Sequence, residues 1–140
     1  MVDTLDFATD IFAQRISIAQ PNPVLAPPTL NQQHLSAIIS YQYLTDNWDE
    51  DGAIAPSLQT VLSALDIALL LTATGQAIYN TVPGPVGEIM IKLRSGSESA
   101  ELLMYSNSHD RFVRIEPGEI PRQGVLTSDS LRETLQWINQ

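Results

Sequence analysis

The chain has 140 residues, about the size of one domain, and 44% of them are hydrophobic, which favours a single packed core. Sixteen acidic residues against seven basic ones give a formal charge of −9. This excess of acid argues against binding to nucleic acid or to an anionic membrane surface. The chain contains no cysteine, which excludes disulfides, thiolate metal sites and cysteine nucleophiles.

The first 28 residues differ in pattern from the rest of the chain. Residues 3–19 place apolar side chains at intervals of three or four, which predicts an amphipathic helix. Four prolines in residues 21–28 favour an extended connector. We therefore expect residues 1–28 to form a helix on a proline-rich arm, and residues 29–140 to form one domain. Because the sequence shows neither a secretory signal nor a membrane span, we expect a cytoplasmic protein.

Two helices are predicted in the first half of the domain. Thr29, with a glutamine three residues later, resembles a capping box and predicts a helix that runs to about residue 44. Ser57 and Gly75 are the start and stop signals of a second helix over 58–75. Few positions of this second helix are polar, so we expect most of its surface to be buried.

In the second half of the domain the hydrophobic period changes from three or four to two. Ile89, Ile91 and Leu93 alternate with more polar side chains, which predicts a half-buried strand. The predicted strands span 87–94, 100–106 and 111–116, with a weaker one at 124–127. Ser128 or Asp129 is expected to cap a final helix. The predicted fold class is α+β, with helices packed on a three- to four-stranded antiparallel meander.

The acidic segment 46–57 is the most distinctive loop. Oxygen-bearing side chains alternate at Asn47, Asp49 and Asp51, and a glycine follows, as in the first half of an EF-hand calcium loop. A leucine stands where the bidentate acid belongs, so any calcium affinity is expected to be weak. The alternative is a structural loop in which the Asp and Asn side chains cap turns and Trp48 packs on the core.

Other residues with chemical potential are few. His34 falls in a predicted helix, and His109 falls in a turn beside Asp110, where the pair is either a general base or a solvated turn. No zinc-binding, phosphate-loop or nucleophile-elbow pattern occurs. We therefore predict no catalytic residue, no metal and no cofactor.

Basic residues are concentrated in the predicted sheet. We expect Arg94, Arg111 and Arg114 to share a sheet surface with Lys92. There they form either an anion-binding patch or ion pairs with glutamates on neighbouring strands, each pair contributing well under about 1 kcal/mol.

The string NWDEDGAIAPS (47–57) is similar to the NWDGxGAxPxS signature of a scattered family of small uncharacterised bacterial proteins. In that family a helix, a proline-rich turn, a strand meander and a C-terminal helix with a tryptophan follow the motif. The corresponding parts of this chain are the turn and strand at 82–94, the meander to Glu116 and the helix at 131–138. The chain departs from the family at Glu50 and Asp51. The resemblance implies a shared fold and a shared structural loop, and it carries no established activity.

These observations predict a non-enzymatic, acidic protein-interaction module of the accessory, inhibitor or antitoxin kind. Its partner is another protein or a second copy of the chain, in which case it forms a homodimer through the N-terminal arm. The candidate binding residues are Trp48, Asp49, Asp51, His109 and Arg111. Two alternatives remain open. One is a metal-dependent hydrolase that uses the acidic residues of 46–51 with a histidine. The other is a small-molecule binder with a pocket between the helix at 58–74 and the sheet.

Overall fold

The computed structural model describes residues 30–107 and 109–140. The predicted N-terminal helix, its proline-rich arm and the boundary at residue 28 lie outside the described residues. In chain order the elements are α1 (Gln32–Ser40), a 3₁₀ turn (Tyr41–Tyr43), α2 (Leu58–Ala73), β1 (Asn80–Pro83), β2 (Ile89–Ser95), β3 (Glu98–Met104), β4 (Arg111–Ile115), β5 (Arg122–Val125) and α3 (Ser128–Ile138).

The strands of the described region form one antiparallel sheet in the order β1-β2-β3-β4-β5. This confirms the predicted α+β class and the meander, with five strands instead of three or four. The strand that the prediction lacked is β1. It is a short edge strand that ends in Pro83, and an edge position tolerates proline because one side of the strand needs no ladder hydrogen bonds.

The core lies between the sheet and the three helices. α2 packs against β2 and β3, α1 packs against α2 and β1, and α3 packs against β2, β3 and β4. As predicted, the alternating residues Ile89, Ile91 and Leu93 are fully buried. Ile91 lies opposite Leu102 in the register, and full burial of each such side chain contributes about 2 kcal/mol.

The predicted start and stop of α2 are confirmed, whereas those of the other helices shift. The Ser57 hydroxyl accepts a hydrogen bond from the Thr60 amide, and Gly75 has the positive φ of a helix stop. The N-cap of α3 is Thr127, in a capping box with Ser130, instead of Ser128 or Asp129. No helix among the described residues is long and apolar enough to cross a membrane.

α1 begins differently from the prediction. Its N-cap position is Asn31, which has a φ of 65° and makes no side-chain cap. The side-chain NH₂ group of Asn31 instead donates to the Thr72 hydroxyl and to the Gln76 carbonyl. Its side-chain oxygen accepts from the backbone amide of Ile78 at 2.8 Å. The capping box expected at Thr29 therefore does not begin this helix. The N-cap position is occupied by Asn31, whose side chain connects α1 to α2.

Candidate functional site

The acidic loop is held closed by its own side chains. The Asn47 side-chain oxygen accepts a hydrogen bond from the Gly52 amide at 2.8 Å. One carboxylate oxygen of Asp49 accepts from the amides of Asp51 and Ala53, both at 2.9 Å. The amides of Ala53 and Asp51 hold the pKa of Asp49 below its usual value of 3.8, because they stabilise the charged form. The Asn47 side-chain oxygen and this Asp49 carboxylate oxygen therefore already accept hydrogen bonds from the backbone of the loop.

Further contacts fasten the loop to the rest of the fold. Asp46 accepts from the Ala55 amide at 2.9 Å, and the Trp48 indole donates to the Ile54 carbonyl at 3.3 Å. The Ile54 amide donates to the Pro85 carbonyl in the turn between β1 and β2. Trp48 is half-buried and is not among the side chains packed on the core cluster. Its indole thus braces the loop itself.

The backbone of the loop explains why it needs so many acceptors. Asn47, Glu50 and Gly52 have φ values of 68°, 65° and 85°, so the chain reverses sharply and leaves several amides without a backbone partner. Short Asn and Asp side chains satisfy such amides locally. Asn47 and Asp49 therefore have the turn-capping role of the structural interpretation. The Asp51 side chain is exposed.

The groups required by a metal-dependent hydrolase are not assembled in the described residues. Among residues 30–107 and 109–140, there is no group of three or more His, Asp or Glu side chains that could hold a metal ion. His34 Nδ1 lies 3.3 Å from the Thr81 hydroxyl on β1, and His109 lies in the turn between β3 and β4. The Asp110 carboxylate accepts a hydrogen bond from the Tyr105 backbone amide, which stabilises the turn between β3 and β4.

The basic residues do not form one patch. Lys92 lies opposite Glu101, and Arg94 stacks on the Tyr79 ring and donates to its hydroxyl at 2.9 Å. Arg111 lies on the same outer face, but β3 separates its strand from β2. Arg114 lies on the opposite face of the sheet, under the helices, and is 9% exposed. The expectation that these four side chains share one sheet surface is therefore wrong for Arg114.

A group of exposed apolar side chains surrounds the acidic loop. We call Tyr43, Ile54, Leu58, Leu62 and Val86 the loop-end patch. Each side chain is between 53% and 78% exposed. Ile54 pairs with Val86 in a parallel bridge. Leu58 and Leu62 lie one turn apart on one face of α2, and Tyr43 belongs to the 3₁₀ turn that packs against α2.

The sequence did not predict the loop-end patch, because α2 is apolar on nearly every side. A helix of that composition predicts burial all round, yet its first two turns bury Val61 and Ala64 on one side and leave Leu58 and Leu62 exposed on another. The spacing of these leucines, four residues apart beside an acidic loop, was the available signal.

The space for a small molecule also differs from the prediction. The interface between α2 and the sheet is filled by fully buried side chains such as Ile91 and Leu102. A groove of about 580 Å³ lies instead between α2 and α3, and its walls include Ile67, Leu70 and Leu135. This groove therefore lies between two helices, beside the filled interface of α2 with the sheet.

Comparisons with protein-family models, with curated proteins and with solved structures found no match to this chain. The function must therefore be argued from the geometry.

Proposed function

We propose that this chain is a non-enzymatic protein-interaction module and that the loop-end patch is its contact surface. The observation that carries the proposal is the exposure of five large apolar side chains around the acidic loop. Keeping such a cluster in water is unfavourable, and a protein partner that covers it would remove apolar area from solvent. The arrangement needs no substrate and no metal ion.

The charge around the loop-end patch indicates the chemistry of the partner. Asp46, Asp49, Glu50 and Asp51 lie in the loop beside it, and no lysine or arginine occurs between Arg15 and Lys92. The partner surface that fits best therefore has an apolar centre and a rim of Lys and Arg, which would also speed association. A second copy of the same patch would bring like charges together. This argues for a different protein as the partner, and against an isologous homodimer at this surface.

The proposed location of this module is the cytoplasm. The absence of cysteine from the sequence is compatible with a reducing compartment.

Site-specific photo-cross-linking of the full chain in its host cells tests this proposal. The probe is p-benzoylphenylalanine in place of Leu58 or Leu62, and the matched control is the same residue in place of Ile120, which is 91% exposed and lies outside the loop-end patch. We expect a discrete adduct from positions 58 and 62 and none from position 120. Equal labelling at all three positions, or none at 58 and 62, would contradict the proposal.

A charge-reversal variant tests the chemistry of the partner separately. Asp51→Lys changes an exposed acid of the loop, and Glu119→Lys is the control, because Glu119 is exposed in the turn before β5. We expect Asp51→Lys to weaken the adduct at position 62 several-fold and Glu119→Lys to leave it unchanged. An adduct of twice the mass of the chain would identify a homodimer and would contradict a basic partner.

A further inference from the structure

The inner face of β4 holds a buried cation. The Arg114 side chain is 10% exposed, and its guanidinium carbon lies 5.1 Å from the Phe112 ring centre and 5.8 Å from the Trp137 ring centre. Arginine remains protonated in proteins even when it is buried. A full positive charge is therefore held beside two aromatic rings, at a place where burial is costly unless an anion or a hydrogen-bond acceptor compensates for it.

The fold satisfies this guanidinium only in part. A guanidinium has five N–H donors, and in Arg114 the Nε–H donates to the Thr134 hydroxyl at 3.1 Å. The Glu133 carboxylate lies 3.9 Å from an Nη nitrogen, beyond hydrogen-bond distance, and its side chain is 70% exposed. Within 30–107 and 109–140, neither Nη group donates a hydrogen bond. The outer edge of the guanidinium thus keeps a fork of unused donors.

A second cation faces the same space. Arg122 lies directly opposite Arg114 in the register of β4 and β5, and residues opposite each other on neighbouring strands share one face of the sheet. Burial, and then the charge of Arg122, hold the pKa of Arg114 below its usual range, and Glu133 opposes this effect. Like charges that face each other across strands are destabilising. An anion between the two side chains would relieve this repulsion.

A cavity of about 100 Å³ opens between these groups, and its lining includes Arg114, Arg122, Trp137 and Ile120. Glu116 and Glu119 also line it. Both glutamates are exposed, and neither forms an ion pair within 4 Å in the described part of the chain. Their carboxylates are free to turn into water, whereas Arg114 is held by Thr134 and by two rings. The cavity has room for one group of a few heavy atoms.

We propose that this cavity binds the carboxylate of a small organic acid, with the Nη fork of Arg114 as the main contact and Arg122 as the second. The planar guanidinium matches a carboxylate through two parallel hydrogen bonds. Trp137 and Ile120 offer apolar contact to a short carbon chain. This site is separate from the loop-end patch and does not depend on the proposed function.

Titration of the full-length, ¹⁵N-labelled chain followed by NMR tests the site. The probes are acetate and propionate at constant ionic strength, with chloride and inorganic phosphate as comparison anions. We expect saturable shifts of the Trp137 indole and Arg114 Nε–H signals with either carboxylate, tighter binding of propionate, and no saturation with chloride. Saturation by phosphate at lower concentration than by the carboxylates would overturn the carboxylate assignment, and non-saturable shifts with every anion would overturn the site.

Variants connect the signal to the two arginines. Arg122→Gln changes an exposed residue and removes one charged contact, so we expect acetate affinity to fall about tenfold. Arg114→Lys keeps the charge without the fork and should weaken binding by about tenfold or more. Arg111→Gln, on the outer face of the sheet, is the matched control and should change nothing. An unchanged affinity in Arg122→Gln, or an equal loss in Arg111→Gln, would overturn the proposal even if Arg114→Lys does not fold.

Discussion

The acidic loop and the corner of the sheet around Arg114 both concentrate charge, but the fold uses them in opposite ways. In the loop, Asp46, Asn47 and Asp49 direct their oxygens at backbone amides. At the corner, Arg114 gives one hydrogen bond to Thr134 and leaves its Nη groups without an acceptor in the described residues. The difference teaches that polar side chains are available to a ligand only where the fold does not already use their hydrogen bonds.

The backbone accounts for this difference. A loop with several positive φ values leaves amides without partners, and nearby Asp and Asn side chains satisfy them. A strand in the middle of a ladder has its amides paired already, so the side chain of Arg114 is not needed by the backbone. The proposed contact with a partner therefore rests on the shape and net charge of the acidic loop and on the loop-end patch.

The attachment of the loop to the sheet should be the most sensitive point. Gly87 has a φ of 84°, and a Cβ there would lie 3.3 Å from the Ala55 carbonyl oxygen. We expect Gly87→Ala to lower the free energy of unfolding by about 2 kcal/mol, from backbone strain and this close approach together. Gly96→Ala is the control, because Gly96 also has a positive φ but no neighbour within 4 Å. Urea denaturation of both variants checks this, and equal losses would show that the close approach contributes nothing.

The partial satisfaction of Arg114 leads to a second prediction. Thr134→Val removes the acceptor of the one Arg114 hydrogen bond, so we expect a loss of about 1.5 kcal/mol in unfolding free energy. Glu133→Gln removes the distant carboxylate and should cost less than about 0.5 kcal/mol. Chemical denaturation measures both. A larger loss for Glu133→Gln would mean that Glu133 is the true partner of Arg114, and this would close the cavity to an external anion.

The role of Asp49 should appear as a dependence of stability on pH. Its pKa is lowered in the folded chain, so its stabilising effect is complete above the usual value of 3.8 and is lost as the pH falls through the folded pKa below it. We expect Asp49→Asn to lower the melting temperature at neutral pH and to flatten its decline in acid. Asp51→Asn, which changes an exposed acid of the same loop, is the matched control. Calorimetry between neutral pH and about pH 3 compares them, and identical profiles for Asp49→Asn and the parent would contradict the account of the loop.

The smallest effect is expected from removing the N-terminal arm. Both regions are built from residues after 29, so a chain of residues 29–140 should unfold cooperatively, with nearly the melting temperature of the full chain. Light scattering of both proteins shows at the same time whether the arm causes self-association. An insoluble or molten product would mean that residues 1–28 belong to the core.

Most of the fold could be predicted from the sequence, because its signals are local. Ser57 and Gly75 mark the ends of α2, and the alternation of Ile89, Ile91 and Leu93 marks β2. Asn31 could not be predicted, because its partners Thr72, Gln76 and Ile78 lie more than 40 residues away.

The two candidate sites were less accessible to prediction. The exposure of Leu58 and Leu62 depends on which side of α2 packs against the rest of the fold, and a helix that is apolar on nearly every side does not reveal this. Arg114 is an odd number of residues from Arg111, and the period of two in a strand therefore places it on the opposite face. That signal was present in the sequence, but the partner across the sheet, Arg122, required the register.

Hydrogen exchange followed by NMR on the full-length chain tests the contrast between the two regions most directly. The account predicts that the amides of Gly52 and Ala53 exchange slowly, since Asn47 and Asp49 accept from them, and that Ala53 loses protection when Asp49 is replaced by alanine. It also predicts that the Nη protons of Arg114 exchange faster than its Nε–H until acetate is added. Loop amides that exchange as in an unfolded chain, together with Nη protons already protected without an anion, would contradict it.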